Sequence, residues 1–435
     1  MRRILIVGAG QSGLQLALGL QSKGYDVTLM SHRTADETRS GRVMSTQVMF
    51  ATALDHERDL KLNFWENRAP RIEGLGMSVA GPARAPGGYQ RTVDWAGSLD
   101  GYAQSVDQRM KMAGWMDVFA ERGGRLVIHG AAVSDLDFLS RRYELVVVAA
   151  GKGELASMFG RDAARSPYAA PQRSLAVAYV HGLGPRHEHP EYDAMRCNLV
   201  PGAGELFVMP TLTTSGHADI LFWEGIPGGP IDVFQDVRDP GEHLVRTLEL
   251  LERFTPWEYA RATKVELTDA NATLVGRYAP TVRHPVGRLP SGGVVLGAGD
   301  VVVANDPVTG QGANLAAKCA ASYLEAIVAR GGAPFDAAWM QATFERFWAT
   351  ARPATKWTNA MLAPPPPHVL NLIGAAGRLQ PVADRIANGF DDPADFEHFF
   401  FDSAKADAYV RDTAEAEGDP EGMVEEEDAD RGDRL

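Results

Sequence analysis

The stretch Ile4-Leu5-Ile6-Val7-Gly8-Ala9-Gly10-Gln11-Ser12-Gly13 decides the fold class of this 435-residue chain. Its four consecutive apolar residues read as a strand buried on both faces, as parallel strands are. The Gly-x-Gly-x-x-Gly turn follows at once. Gly8 permits a tight turn, Gly10 lets the backbone approach a pyrophosphate, and Gly13 allows a helix to pack closely on the strand. Leu14, Ala17, Leu18 and Leu20 then recur at helical spacing, and residues 26–30 read as a second strand. The whole is a βαβ unit of about 30 residues. The N-terminus of its helix, with Gln11 and Ser12 beside it, offers unpaired N–H groups and a partial positive charge to phosphates. An acidic residue normally closes such a unit on the adenosine ribose, but here Ser31, His32 and Arg33 occupy that place. Either Ser31 or Arg33 replaces the carboxylate, or the grip is loose, which suits a dinucleotide that enters reduced and leaves oxidised.

A second signature lies almost 300 residues on: Gly297-Ala298-Gly299-Asp300, then Asn305-Asp306-Pro307-Val308-Thr309-Gly310-Gln311-Gly312-Ala313-Asn314. Asp300, after a buried strand, is suited to accept hydrogen bonds from ribityl hydroxyls. Pro307 and Val308 would line the space beside an isoalloxazine ring. Residues 310–314, with Gly310, Gly312, Ala313 and Asn314, open a helix whose N-terminus favours the negative charge of reduced flavin. Two signatures in this order point to FAD, held at its adenine end by one and at its reactive end by the other.

Between and beyond them the texture changes. Residues 125–129 and 144–149 read as further strands of the first sheet, and residues 105–122 as a long helix. From 170 to 267, short alternating runs broken by Gly and Pro predict an inserted antiparallel sheet. Residues 293–296 return to the first domain. The helix after Gly312 carries Ala316, Ala320, Tyr323, Leu324 and Ile327 at buried spacing. The expected class is α/β. A Rossmann-type FAD-binding domain is formed by residues 1–169 and 268–330, with a substrate-binding β-sheet domain over 170–267. A helical C-terminal region follows over 331–412, interrupted by a rigid proline loop at 364–367, and then a disordered acidic tail over 413–435.

Composition narrows the function. With 45% hydrophobic residues, the chain has ample material for a core. Of the net charge of -13, residues 415–435 carry ten acidic and two basic side chains, so the rest is only mildly acidic. Nucleic-acid binding is therefore not expected. Cys197 and Cys319 are the only cysteines, which fits a reducing compartment and gives no metal site or disulfide framework. The apolar run after Met1-Arg2-Arg3 is too short for a signal peptide, and no segment approaches the roughly 20 apolar residues of a membrane span. The reading is a cytoplasmic protein without nucleic-acid or membrane partners, with a homodimer left open.

These residues resemble those of the FAD-dependent aromatic hydroxylase superfamily. Within it, the chain is most similar to the epoxidase component of the two-component styrene and indole monooxygenases. Asp300 through Asn314 carry the likeness, with Val106-Asp107-Gln108-Arg109, Gly204-Glu205-Leu206, Pro210-Thr211-Leu212 and Ala354-Thr355-Lys356-Trp357-Thr358-Asn359. Arg42 matches a family arginine near the flavin, and Arg109 the superfamily arginine that contacts FAD. The resemblance implies a GR2-like FAD domain with a smaller sheet over the flavin. It also implies FADH2 delivered by a transient NAD(P)H-dependent flavin reductase, and O2 that forms a flavin C4a-(hydro)peroxide whose distal oxygen atom is transferred. An aromatic alkene, indole-like compound or sulfide would be the substrate, and no side chain need act as catalyst. Single-component relatives carry an Asp-Gly motif where this chain has Ala150-Gly151-Lys152-Gly153-Glu154, which argues against direct NAD(P)H oxidation. A single-component hydroxylase and a non-catalytic flavoprotein are the alternatives. Ser45 and Met49, with Gln47 between, stand where the relatives have an asparagine and a histidine, so the pocket differs. Its expected lining is Ser45, Thr46, Gln47, Met49, Phe207, Met209, Phe222, Pro307, Val308 and Trp357. Trp223-Glu224-Gly225-Ile226-Pro227 partly resembles the tryptophan-rich signature of flavin halogenases, but its spacing is off by one, the first tryptophan is missing and no matching lysine is evident.

Overall fold

The computed structural model describes residues 2–83, 87–150, 153–190 and 193–418. Strand Arg3–Val7 pairs in parallel with Asp26–Ser31 on one side and Leu145–Val148 on the other. The sheet runs in the order Val286–Arg288, Val294–Gly297, Leu145–Val148, Arg3–Val7, Asp26–Ser31, Arg125–Ile128, and only its outermost strand Val286–Arg288 is antiparallel. Ile4, Leu5, Ile6, Val146 and Val147 are buried, because helices cover a parallel sheet. Helix Gln11–Ser22 packs against helix Gln311–Arg330. Their approach is close at Gly19, where an added Cβ would come within 2.7 Å of Leu324 Cδ2. The α/β class expected from the first signature is what the chain adopts.

The second sheet runs Glu266–Leu267, Ser174–His181, Gly216–Gly225, Gly204–Thr213, Ala194–Val200, Arg71–Pro82, Tyr89–Gln104, with Thr273–Gly276 also on Ser174–His181. It extends beyond the expected 170–267 on both sides, at Thr273–Gly276 and more so before it. The long hairpin Arg71–Pro82 and Tyr89–Gln104 comes from before the second-sheet region, and Arg71–Pro82 pairs in parallel with Ala194–Val200. The hairpin escapes a sequence reading because Gly74, Gly76, Gly81, Gly97 and Gly101 interrupt its alternation. Two of these glycines are required by packing. An added Cβ on Gly97 would lie 2.2 Å from the Ala383 carbonyl oxygen, and on Gly76 the same distance from Arg196 Nη1.

Each face of the second sheet buries its own core. Leu206, Val208, Leu221 and Trp223 face Leu250, Leu251 and Phe254 of helix Pro240–Phe254. Phe207, Met209, Ile220 and Phe222 face the opposite way, into a core shared with Val48, Phe50 and Trp357. The C-terminal helices Ala337–Met361, Pro367–Ala376, Gln380–Asn388 and Ser403–Glu417 follow. Gln380–Asn388 closes the edge strand Tyr89–Gln104: Asp384 accepts from Ser98 N at 2.8 Å, and Asn388 from Asp100 N at 2.9 Å. Covering an edge in this way removes a surface on which other chains could pair. Residues 413–417, expected to begin the disordered tail, continue the last helix. Asp402 caps that helix by accepting from Lys405 N, Ala406 and Ala414 are buried, and Gly418 ends it in the left-handed region. The remainder of the predicted tail lies outside the described residues, as do Gly151 and Lys152 of the segment replacing the Asp-Gly motif. No helix among the described residues is long and apolar enough to cross a membrane.

Candidate active site

Three parallel strands end side by side at Gly8, Ala149 and Ala298, where Ala149 N donates to Val7 O (2.7 Å) and Ala298 N to Val148 O (2.9 Å). Such carboxyl ends are where open α/β sheets bind ligands. Gly8 has φ +116°, and a Cβ there would lie 2.7 Å from Ala149 C; on Gly13 it would lie 2.0 Å from Gly8 O. A Cβ on Gly10, by contrast, would meet nothing within 4 Å, leaving the open approach that a pyrophosphate needs. Gly10 caps helix Gln11–Ser22 without a side-chain hydrogen bond, so the first N–H groups of that helix are not satisfied by a capping side chain. Gln11 turns its side chain inward, donating to Glu57 at 2.9 Å and Gln15 at 3.0 Å, and Lys111 donates to the same Glu57. Only the Gln11 backbone is thus available to a phosphate. Ser31 Oγ donates to Arg33 O (2.7 Å) and accepts from Arg33 N (3.2 Å), closing the turn after the strand. His32 is exposed and Arg33 half-buried beyond it.

The second signature meets the first here. Gly299, at φ +59°, approaches Ser12 so closely that a Cβ would lie 3.0 Å from Ser12 Cβ. Asp300 follows it and is exposed. The turn Pro307–Thr309 is capped by Asp306, which accepts from Val308 N at 3.2 Å, and ends in left-handed Gly310 (φ +64°), the start of helix Gln311–Arg330. Cβ atoms at Gly310 and Gly312 would meet nothing within 4 Å. Gln311 donates to Thr309 O (3.1 Å) and Phe390 O (2.8 Å). Asn314 is a tether: it donates to Val48 O at 2.8 Å and accepts from Phe50 N at 2.9 Å. Two glycine-lined openings at helix N-termini, joined through Ser12 and Gly299, fit a long dinucleotide such as FAD.

Arg109 is buried, and its guanidinium is committed to the protein. It donates to Asp107 (2.7 and 2.9 Å), Asp269 (2.9 and 3.0 Å) and Gly41 O (3.4 Å). Burial opposes its charge, but the hydrogen bonds to Asp269 and Asp107 outweigh this and raise its pKa. Asn271, whose N–H is accepted by Asp269, holds Ser40 O and Val43 N at 3.0 and 3.1 Å. The 40–43 loop carrying exposed Arg42 is therefore fixed by the Arg109 network. Arg109, expected to contact FAD, thereby also positions that loop.

The 45–50 segment splits by alternation. Val48 and Phe50 join the core of Phe207, Met209, Phe222 and Trp357. Met49 packs with Ala53, Leu54 and Ala317 instead, and Gln47, also buried, donates to Val106 O. Ser45 and Thr46 are half-buried, with Tyr179 donating to Ser45 O at 2.9 Å. So Gln47 and Met49, expected on the pocket wall, do not share the core of its aromatic residues. Val48 and Phe50, which the sequence reading passed over, do. On that face Phe207 and Phe222 stand opposite each other with ring centroids 6.0 Å apart. Trp357 lies 4.7 Å from Phe390 and 4.6 Å from Phe396. Val308 is buried and Pro307 half-buried at the turn, and Thr309 and Thr358 hydroxyls bond across to the Trp357 helix.

The chain is 30% identical over 401 residues, 90% of its length and 93% of theirs, to styrene monooxygenase StyA of Pseudomonas fluorescens and of a Pseudomonas species. The chain belongs to the styrene monooxygenase family. Residues 151–261 of the chain match the family described as "Styrene monooxygenase A putative substrate binding domain". It is a flavin-dependent monooxygenase. Solved structures share its fold. The flavin-dependent brominase Bmp2 matches with a TM-score of 0.65 at 13% identity, covering 95% of this chain and 98% of that one. The p-nitrophenol 4-monooxygenase PnpA of Pseudomonas putida DLL-E4 matches at 0.61 and 14%, covering 90% and 99%. At such identities these two likenesses speak for the architecture alone.

One group beside the 307–309 turn is not legible from the sequence motifs. Glu205 and Glu224 stand opposite each other in register on neighbouring strands and, like Asp306, are buried. A carboxylate ending the apolar run Ile220-Leu221-Phe222-Trp223 was the available signal, since an unpaired buried charge is costly.

Proposed function

We propose that this monooxygenase takes reduced FAD from a separate NAD(P)H-dependent flavin reductase and oxygenates an aromatic alkene, an indole-like compound or a sulfide. The observation that carries the reading is the convergence of both glycine signatures on the strand ends, beside the apolar sheet face of Phe207, Met209 and Phe222. FAD, when bound, supplies the oxygen-activating chemistry. The backbone N–H groups at Gln11 and Ser12 would hold its pyrophosphate, and Asp300 its ribityl hydroxyls. The helix opening at Gly310 would favour negative charge at the ring's pyrimidine edge. Pro307, Val308, Phe222 and Trp357 orient an apolar substrate and exclude water, which shields the reaction from competing release of hydrogen peroxide. The two buried cysteines agree with a reducing, cytoplasmic setting.

A self-sufficient hydroxylase is the second reading. The two separate cleanly: pure protein with FAD, styrene and NAD(P)H should consume no NAD(P)H until a flavin reductase is added. Steady consumption by the pure protein would overturn the two-component reading.

A further inference from the structure

The Trp223-Glu224-Gly225 motif has no part in the function so far. Glu205, Phe207 and Met209 share one face of their strand by alternation, and Ile220, Phe222 and Glu224 the facing positions of the next. The aromatic floor of the candidate pocket therefore ends in two carboxyl groups, at 4% and 0% exposure, and Asp306 of the flavin turn, 1% exposed, joins them. Arg173 pairs with Glu205. Neither oxygen of Glu224 has a hydrogen-bond partner of standard geometry, and Asp306 is the group placed to accept from it. Three buried carboxylates around one bonded guanidinium would be strongly repulsive if all were ionised, so one keeps its proton.

We propose that Glu224 is a neutral carboxylic acid that latches the flavin turn to the substrate sheet by donating to Asp306, which makes it a positioning residue for the cofactor. Asp306 in turn accepts from Val308 N, so the latch reaches the turn carrying Pro307 and Gly310. Other groups facing the cluster are Arg173, Cys197 and Tyr278. Burial raises the Glu224 carboxyl well above its ordinary range, Asp306 and Glu205 add to this, and Arg173 opposes it. Burial also lifts Glu205 to about 7, against Arg173, and Asp306 to about 6, against Val308 N–H. Ionising Glu224 at alkaline pH would set like charges against each other and push the turn off the sheet. The role rests on residues 305–314 holding the flavin.

The proton is read by infrared spectroscopy of the FAD-free protein. At about pH 8, above the values of about 7 for Glu205 and about 6 for Asp306, a protonated-carboxyl C=O band should remain in the wild type and vanish in Glu224→Gln, and a band that persists in the variant overturns the proposal. The consequence is read by FAD titration. The wild-type dissociation constant should rise about tenfold between about pH 6 and pH 9. Glu224→Gln, which keeps a donor, should match wild type at the lower pH and stay within about twofold across the range. A variant that loosens with pH as wild type does would refute the latch. Should Glu224→Gln not fold, Asp306→Asn substitutes: without the Asp306 charge, the Glu224 band should disappear at lower pH, and an unmoved titration refutes the coupling. Absence of FAD binding at every pH would refute the flavin assignment, whatever the infrared band shows.

Discussion

The two sheets of this molecule bury different things. The parallel sheet hides aliphatic residues, such as Ile4, Leu5 and Val147, and keeps its polar work in backbone turns at the strand ends. The second sheet hides charge and amide groups: Glu205, Glu224, Arg196 and Asn198 are all buried within its strands. The strand ends of the first sheet are shaped by backbone, with Gly8 and Gly13 held by close approach. The second sheet depends on side chains whose protons and partners must be arranged, because an unpaired buried charge is costly.

Glycine substitutions sharpen that contrast most. Gly13→Ala should cost about 3 kcal/mol or more of stability, because its Cβ would meet the Gly8 carbonyl oxygen at 2.0 Å and a backbone oxygen cannot yield. Gly10→Ala should leave stability within about 0.5 kcal/mol yet weaken FAD at least about tenfold, since only a bound ligand would meet its Cβ. Denaturant melts and FAD titrations on the pair separate the two effects. Equal stability losses would mean that Gly10 also serves packing.

On the second side of the comparison, Met49→Ala should cost about 2–3 kcal/mol as a core cavity, because Met49 packs among Ala53, Leu54 and Ala317. Phe222→Ala should instead alter relative rates among styrene, indole and aryl sulfides. A change of preference in Met49→Ala without loss of stability would restore Met49 to the pocket wall. Asp300→Ala is expected to weaken FAD by about 1.5–3 kcal/mol, read by FAD titration; an unchanged affinity would remove Asp300 from the cofactor site.

The smallest effect is a pH slope. Glu205 and Asp306 have folded pKa values of about 7 and about 6, raised by burial above their ordinary range. The stability tied to their protons is present at low pH and is lost as pH rises through those values. Melting temperature should therefore fall between about pH 5 and pH 8, and fall less in Glu205→Gln. An equal slope in both proteins would assign the effect elsewhere.

This contrast also explains what the sequence could disclose. Gly8, Gly10, Gly13 and Gly310 are legible because a turn and a close approach leave a fixed spacing in the chain. The strand at Arg3–Val7 is legible because burial on both faces leaves an unbroken apolar run. Met49 and Val48 were not separable, since alternation assigns sides without saying which side faces a pocket. Arg109 was legible as important, but its engagement by Asp107 and Asp269 depends on a residue 160 positions away. The hairpin over Arg71–Gln104 was hidden by glycines whose reasons lie far off in the chain, Ala383 of a C-terminal helix for Gly97 and Arg196 for Gly76.

The central claim is that this chain oxygenates an aromatic substrate with reduced FAD and needs no nicotinamide of its own. The direct test is a single turnover: protein-bound FAD, photoreduced without any NAD(P)H, is mixed with oxygen and styrene, and product is counted against hydrogen peroxide. The account predicts oxygenated product approaching one per flavin, with little peroxide. Peroxide alone, across styrene, indole and aryl sulfides, would contradict it.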